Sequence, residues 1–197
     1  MFFDDDFGFR SQLVPHWEEM REELLNLDHD LFRLGPQRDM HNDLWFIFGL
    51  WVQGRRITAN CDLCPRTAEL AATIPGMKSA GFSALAPGAV LRPHCGPESD
   101  FLRYHIGLVV PPNCGGLKVG DETRGWEDGK DLCFDDHVEH TAWNDSDQTR
   151  GVFLVDFVKP WVTGSQDDTV DVADEGIEQI LGEHFKDWYT EKPTETK

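Results

Sequence analysis

The apolar positions change their spacing along the chain, and each spacing predicts a different element. Over residues 11–27, Leu13, Trp17, Met20, Leu24 and Leu25 recur at helical intervals with charges between them, which predicts a first amphipathic helix. From Asp39 to Trp51 the pattern turns dense and aromatic, with Trp45, Phe46, Phe48 and Trp51, and Gln53-Gly54-Arg55-Arg56 closes it as a turn. Cys64–Ile74 reads as a second short helix, ended by Pro75-Gly76. Beyond Lys78 the texture changes. Short apolar runs (Ala80–Leu85, Val90-Leu91, Leu102–Val110, Leu117–Val119, Lys130–Phe134 and Gly151–Val158) alternate with Gly, Pro and Asn, the pattern of a β-barrel or double-sheet roll. A last helix is predicted over Asp174–Tyr189, where Ile177, Ile180, Leu181, Phe185 and Trp188 share one face. The expected organisation is a single domain. Residues 1–77 form a helical part packed on the roll, 78–162 the β-roll core, and 163–197 a C-terminal helix and tail.

Composition narrows the function. The 197 residues are 40% apolar, enough for a sizeable core. Asp and Glu number 36 against 18 Lys and Arg, a net charge of -18. That balance excludes a nucleic-acid polymer as partner, which requires a basic footprint, and excludes docking on an anionic membrane. It leaves room for a small anionic ligand held by a few buried arginines. No apolar run reaches membrane-spanning length, and the acidic start Met-Phe-Phe-Asp-Asp-Asp is unlike a signal peptide. Five cysteines, an odd number, suit reduced thiols, so a cytoplasmic location is expected. Cys61-x-x-Cys64 has no second pair beside it and reads as ordinary structural thiols.

Two histidines have contexts suited to metal ligation. His94 ends the run Leu-Arg-Pro-His-Cys-Gly, and His140 follows the Leu132–Phe134 strand in Phe-Asp-Asp-His-Val-Glu-His-Thr-Ala-Trp-Asn. Two strand-end histidines are compatible with opposite rims of a roll. A second signal is charge within apolar strands: Arg103 in Phe-Leu-Arg-Tyr-His-Ile-Gly and Arg150 at the head of Arg-Gly-Val-Phe-Leu-Val-Asp. Strand alternation places Arg103 and His105 on one face and Leu102, Tyr104 and Ile106 on the other. A buried guanidinium needs an anion, either an internal carboxylate or a ligand. Both answers stay open for both arginines.

Five segments resemble the aspartyl/asparaginyl β-hydroxylase family of iron(II)/2-oxoglutarate dioxygenases: LWVQGRR (50–56), FSALAPGAVLRPHCGP (82–97), LRYHIGLVVP (102–111), ETRGWEDGKDLCFDDHVEHTAWN (122–144) and RGVFLVDFVKPW (150–161). The resemblance implies a mainly β fold, a double-stranded β-helix or cupin-like jelly roll with flanking helices. It implies Fe(II), 2-oxoglutarate and O2 as reactants, with succinate and CO2 as co-products. His94 and His140 match the iron ligands, and His94-Cys95-Gly96 keeps the family's H-x-G, which lacks the usual carboxylate ligand. Ser83, Arg103, His105 and Arg150 match the co-substrate positions, with Arg150 and Ser83 on the distal carboxylate and Arg103 and His105 near the chelating end. Asp135, Asp136 and Trp143 flank His140, and one of them is expected to support it in a structural role.

The substrate positions differ from the peptide-hydroxylating members. Phe101 stands where those members place a second arginine, which favours a flat or apolar substrate. Arg55, in the shared Gln-Gly-Arg-Arg, is expected near the mouth of the site. The leading expectation is hydroxylation of an unactivated C–H bond in an amino-acid-derived or biosynthetic small molecule. The alternative is a halogenase of the same fold, with chloride in the position left by the missing carboxylate and an aromatic or nucleoside-type substrate. A cupin that only binds a ligand is the third reading, and it requires internal carboxylates to answer both arginines.

Overall fold

The computed structural model describes residues 1–35, 38–97, 99–163 and 170–172. Thirteen strands are assigned among them: β1 (Phe2–Phe3), β2 (Arg33–Leu34), β3 (Trp45–Val52), β4 (Arg55–Ile57), β5 (Met77–Leu85), β6 (Val90–His94), β7 (Phe101–Val109), β8 (Gly116–Val119), β9 (Glu122–Arg124), β10 (Asp131–Asp135), β11 (His140–Trp143), β12 (Arg150–Val158) and β13 (Val170–Val172). They form two sheets. The larger runs β1-β10-β7-β12-β5-β3-β4-β13, with β2 added beside β3, and the smaller runs β6-β11-β8-β9. All pairings are antiparallel except β13 on β4. This is the mainly β double-sheet roll that the alternating pattern predicts.

Alternation along each central strand sorts side chains between two cores. Leu102, Tyr104, Ile106 and Leu108 of β7 join Phe153, Val155 and Phe157 of β12 and Phe48 and Leu50 of β3 on the outer face. Four short helices border it: α1 (Arg10–Leu13), α2 (Trp17–Asn26), α3 (Thr58–Leu63) and α4 (Pro65–Ala71). Leu13 and Met20 bring the first two of these into the outer core. The helix predicted over 11–27 is therefore interrupted. Pro15 cannot donate to an α-helical ladder, and a 3-10 turn over Val14–His16 separates α1 from α2. Glu23 of α2 accepts hydrogen bonds from the backbone N–H groups of Arg66 and Thr67, at 2.8 Å each, so one helix satisfies the open N-terminus of another.

The opposite residues of the same strands face the smaller sheet. Trp45, Leu85, Leu132, Phe134 and Val152 meet Leu117, Val119 and Ala142 in the inner core. The expected helical character of residues 1–77 needs correction, because that segment also supplies β1 to β4. Trp45–Val52 is a full strand of the large sheet: one side feeds the outer core and the other the roll, so its apolar run is continuous and loses the period that would mark a strand. The predicted helix over 174–189 lies outside the described residues.

Candidate active site

The smaller sheet brings two distant histidines together. His140, the first residue of β11, lies directly opposite His94, the last of β6, and their ring centroids are 4.1 Å apart. They are cross-strand neighbours rather than occupants of opposite rims, because β6 and β11 are antiparallel partners. Each ring donates its Nδ1 proton to a nearby backbone carbonyl: His94 to Arg92 at 2.6 Å, His140 to Val138 at 2.9 Å. That tautomer leaves both Nε2 lone pairs free. Burial holds both imidazoles neutral. It lowers His94 below the ordinary range, and it brings His140, which also resists taking a second positive charge beside His94, to about 3.

Asp136 completes this cluster. Its carboxylate is buried, with Oδ1 3.3 Å from His140 Nε2. With the His140 proton committed to Val138, that contact sets a lone pair against a carboxylate oxygen, an arrangement that a bound cation relieves. Among the described residues no group of three or more His, Cys, Asp or Glu is arranged to hold a metal ion. The donor set on offer is two neutral imidazole nitrogens beside one anion, and it fits a divalent iron that takes its remaining ligands from co-substrate and water. Gly96 explains how Asp136 enters. A Cβ built on Gly96 would overlap the Asp136 carboxylate, so the space left in H-x-G is filled by that carboxylate. Chloride is the halogenase reading's expectation for that space.

The two arginines have different surroundings. Arg103 binds Asp156 with two hydrogen bonds, from Nε at 2.7 Å and from the second amino group at 3.1 Å, and its first amino group lies 2.7 Å from Asp136 Oδ1. Burial acts to lower its pKa, but Asp136 and Asp156 outweigh that and hold it above the ordinary value. Its charge is answered internally by these two carboxylates, and Arg103 lines the cavity that opens over the cluster. Arg150 is 2% exposed and pairs with no carboxylate among the described residues. Its Nε has no partner, and one amino group makes only a 3.5 Å contact to the Ser83 carbonyl. Burial lowers its pKa to about 9. An isolated buried charge costs several kcal/mol, so this arginine is built to receive an anion.

Ser83 and His105 lie beside that cation. The Ser83 hydroxyl accepts from Trp45 Nε1 at 3.0 Å, which leaves its own proton to donate. His105 is buried with Nε2 unpartnered, and burial with the nearby Arg150 charge holds it neutral. Phe134 packs edge-on against both His105 and His140, with centroids 5.5 and 5.3 Å away, so one ring links His105 to the histidine pair. A cavity of about 510 Å³ opens over the cluster, and Ser83, His94, Gly96, Arg103, Asp136 and Asp156 line it. Phe101, Trp51, Val52 and Leu154 form its apolar wall. Phe101 is thus brought to the site, whereas Arg55, on β4, does not line this cavity. A larger cleft of about 620 Å³ beside α4 shares Trp51 with this cavity but contains none of its histidine, serine, arginine or aspartate groups.

Two participants escape the sequence reading. Asp156 sits in Phe-Leu-Val-Asp-Phe-Val, where a charge inside an apolar strand is the same signal that marks Arg150. Trp126 lies in a loop and carries no local sign that it contacts His105 and Arg150.

Residues 15–160 match the family described as aspartyl/asparaginyl beta-hydroxylase. An ornithine lipid ester-linked acyl 2-hydroxylase of Rhizobium tropici is 44% identical over 164 residues, covering 78% of this chain and 58% of that protein. The aspartyl/asparaginyl beta-hydroxylase of Homo sapiens is 33% identical over 164 residues, covering 79% of this chain and 22% of that protein. The chain thus spans less than two thirds of the length of either relative. Among solved structures, a prolyl hydroxylase of Trichoplax adhaerens, in complex with a hypoxia inducible factor peptide fragment, shares the fold. Its TM-score is 0.55 at 11% identity, over 78% of this chain and 90% of that one.

Proposed function

The chain belongs to the aspartyl/asparaginyl β-hydroxylase family, and from that premise we propose that it is an iron(II)- and 2-oxoglutarate-dependent hydroxylase acting on an unactivated C–H bond. The observation that carries this reading is the buried Arg150, with no carboxylate partner among the described residues, near a His105 that one aromatic ring links to the neutral His140. His94 and His140 would hold the metal through Nε2. With 2-oxoglutarate and O2, iron supplies the oxidant that turns C–H into C–OH and releases succinate and CO2.

The chain's own residues position and shield. Arg150 and the Ser83 hydroxyl take the distal carboxylate of 2-oxoglutarate, and His105 Nε2–H donates to the same ligand. Arg103, held between Asp136 and Asp156, fixes the Asp136 carboxylate beside the histidine pair. Within the site Arg103 and Arg150 balance Asp136 and Asp156. Loading a dication with a dianionic co-substrate leaves that balance unchanged, which keeps the electrostatic cost of filling a buried site low. Asp136 in the space beside Gly96 supports hydroxylation over halogenation, because a carboxylate there repels halide.

The substrate presents an apolar stretch to Trp51, Val52, Phe101 and Leu154 and approaches over His94. An amino-acid-derived small molecule with an alkyl or aryl side chain fits that wall. An acyl chain is the second reading, favoured by the same wall and by the acyl 2-hydroxylase among the relatives. Candidate substrates of both kinds, incubated with the iron-loaded protein and 2-oxoglutarate, should raise succinate release and yield a product heavier by one oxygen. Failure to form succinate under any of these conditions overturns the reading.

A further inference from the structure

We propose that Trp126 is the positioning residue that arms the anion site, its indole N–H setting the His105 tautomer and its ring face seating the Arg150 guanidinium. The inference rests on the 2-oxoglutarate reading above. Trp126 is buried, and its Nε1 donates to His105 Nδ1 at 3.3 Å. An indole nitrogen can only donate, so His105 Nδ1 must accept, and a neutral imidazole then carries its proton on Nε2. That Nε2 is the buried, unpartnered atom described above, and it becomes a donor aimed at a carboxylate. On the face of the same indole lies Arg150, with Cζ 4.3 Å from the ring centroid. One side chain thus orients two of the three groups assigned to the co-substrate.

The sequence explains how a loop residue reaches this position. Gly107 lies two residues after His105 and so shares its face of β7. A Cβ on Gly107 would overlap the Glu127 carbonyl oxygen, so only a glycine lets the 126–130 segment lie against the strand. The segment is then tied down by hydrogen bonds from Gly107 N to Lys130 O and from Gly129 N to Gly107 O, at 2.9 Å each. Asp128 Oδ1 accepts from Val110 N at 2.8 Å. Trp126 enters the roll at the head of this anchored segment.

The test combines a tautomer measurement with ligand binding. In metal-free protein labelled with 15N-histidine, two-bond 15N–1H correlations should show His105 protonated on Nε2. Trp126→Phe keeps an aromatic face and removes the N–H. It should release His105 into mixed tautomers and weaken 2-oxoglutarate binding to the manganese-loaded protein about tenfold, the worth of one charge-assisted hydrogen bond. Trp126→Leu, which also removes the face, should weaken binding further. A proton on His105 Nδ1 in the unaltered protein overturns the inference. So does a Trp126→Phe variant that keeps the Nε2–H tautomer and binds 2-oxoglutarate within twofold of the unaltered protein. Unaltered protein that shows the Nε2–H tautomer but binds no 2-oxoglutarate contradicts the proposed function, and with it the ligand named here.

Discussion

Single residues divide into those that need the ligand and those that need one another. Arg150→Met removes a buried charge that has no carboxylate partner among the described residues. It should raise the KM for 2-oxoglutarate about a hundredfold while leaving the melting temperature unchanged or higher. Arg103→Met should behave in the opposite way. It strands the largely buried carboxylates of Asp136 and Asp156, which costs about 3 kcal/mol of stability. Thermal melts and 2-oxoglutarate kinetics on the two variants check the split, and an equal stability loss in both would contradict it. The sequence marks both arginines alike, because each is a charge in an apolar strand. Only the pairing partner separates them, and that partner lies on a strand far away in the chain.

At the level of elements, the central strands of the roll are legible because each has one face in the outer core and another facing the site. His105 and Arg103 were separable from Leu102, Tyr104 and Ile106 on alternation alone. β3 was not legible, since an apolar run buried on both sides has no period. The adjacency of His94 and His140 was not legible either, because strand pairing is a long-range choice that no local pattern records. The helices serve the outer core and not the site, which gives a prediction. Met20→Ala should cost about 2–5 kcal/mol, because Met20 is fully buried at the foot of α2. The 2-oxoglutarate KM should stay within twofold of the unaltered protein. A large change in KM would mean that the helical layer, and not the roll alone, sets the site geometry.

For the whole molecule, the buried histidines make a pH-dependent contribution to stability in a definite direction. His105 and His140 are held neutral in the folded state well below the pH at which they charge in the unfolded chain. Below about pH 6.5 the unfolded state therefore binds more protons, and stability falls as pH falls. Each group contributes a slope of up to about 1.4 kcal/mol per pH unit until its folded pKa is reached. Melts of metal-free protein between pH 7 and pH 5 should show this loss, and His105→Gln should reduce it. A loss no smaller in that variant would mean that His105 is not held neutral. The central claim, that these residues form one iron and 2-oxoglutarate site, is tested most directly without oxygen. Iron(II) and 2-oxoglutarate are added to the purified protein while the visible charge-transfer absorption is recorded, with chloride titrated at fixed ionic strength. The account predicts a saturable band, lost in His94→Ala and in His140→Ala and unmoved by chloride; no band in the unaltered protein contradicts it.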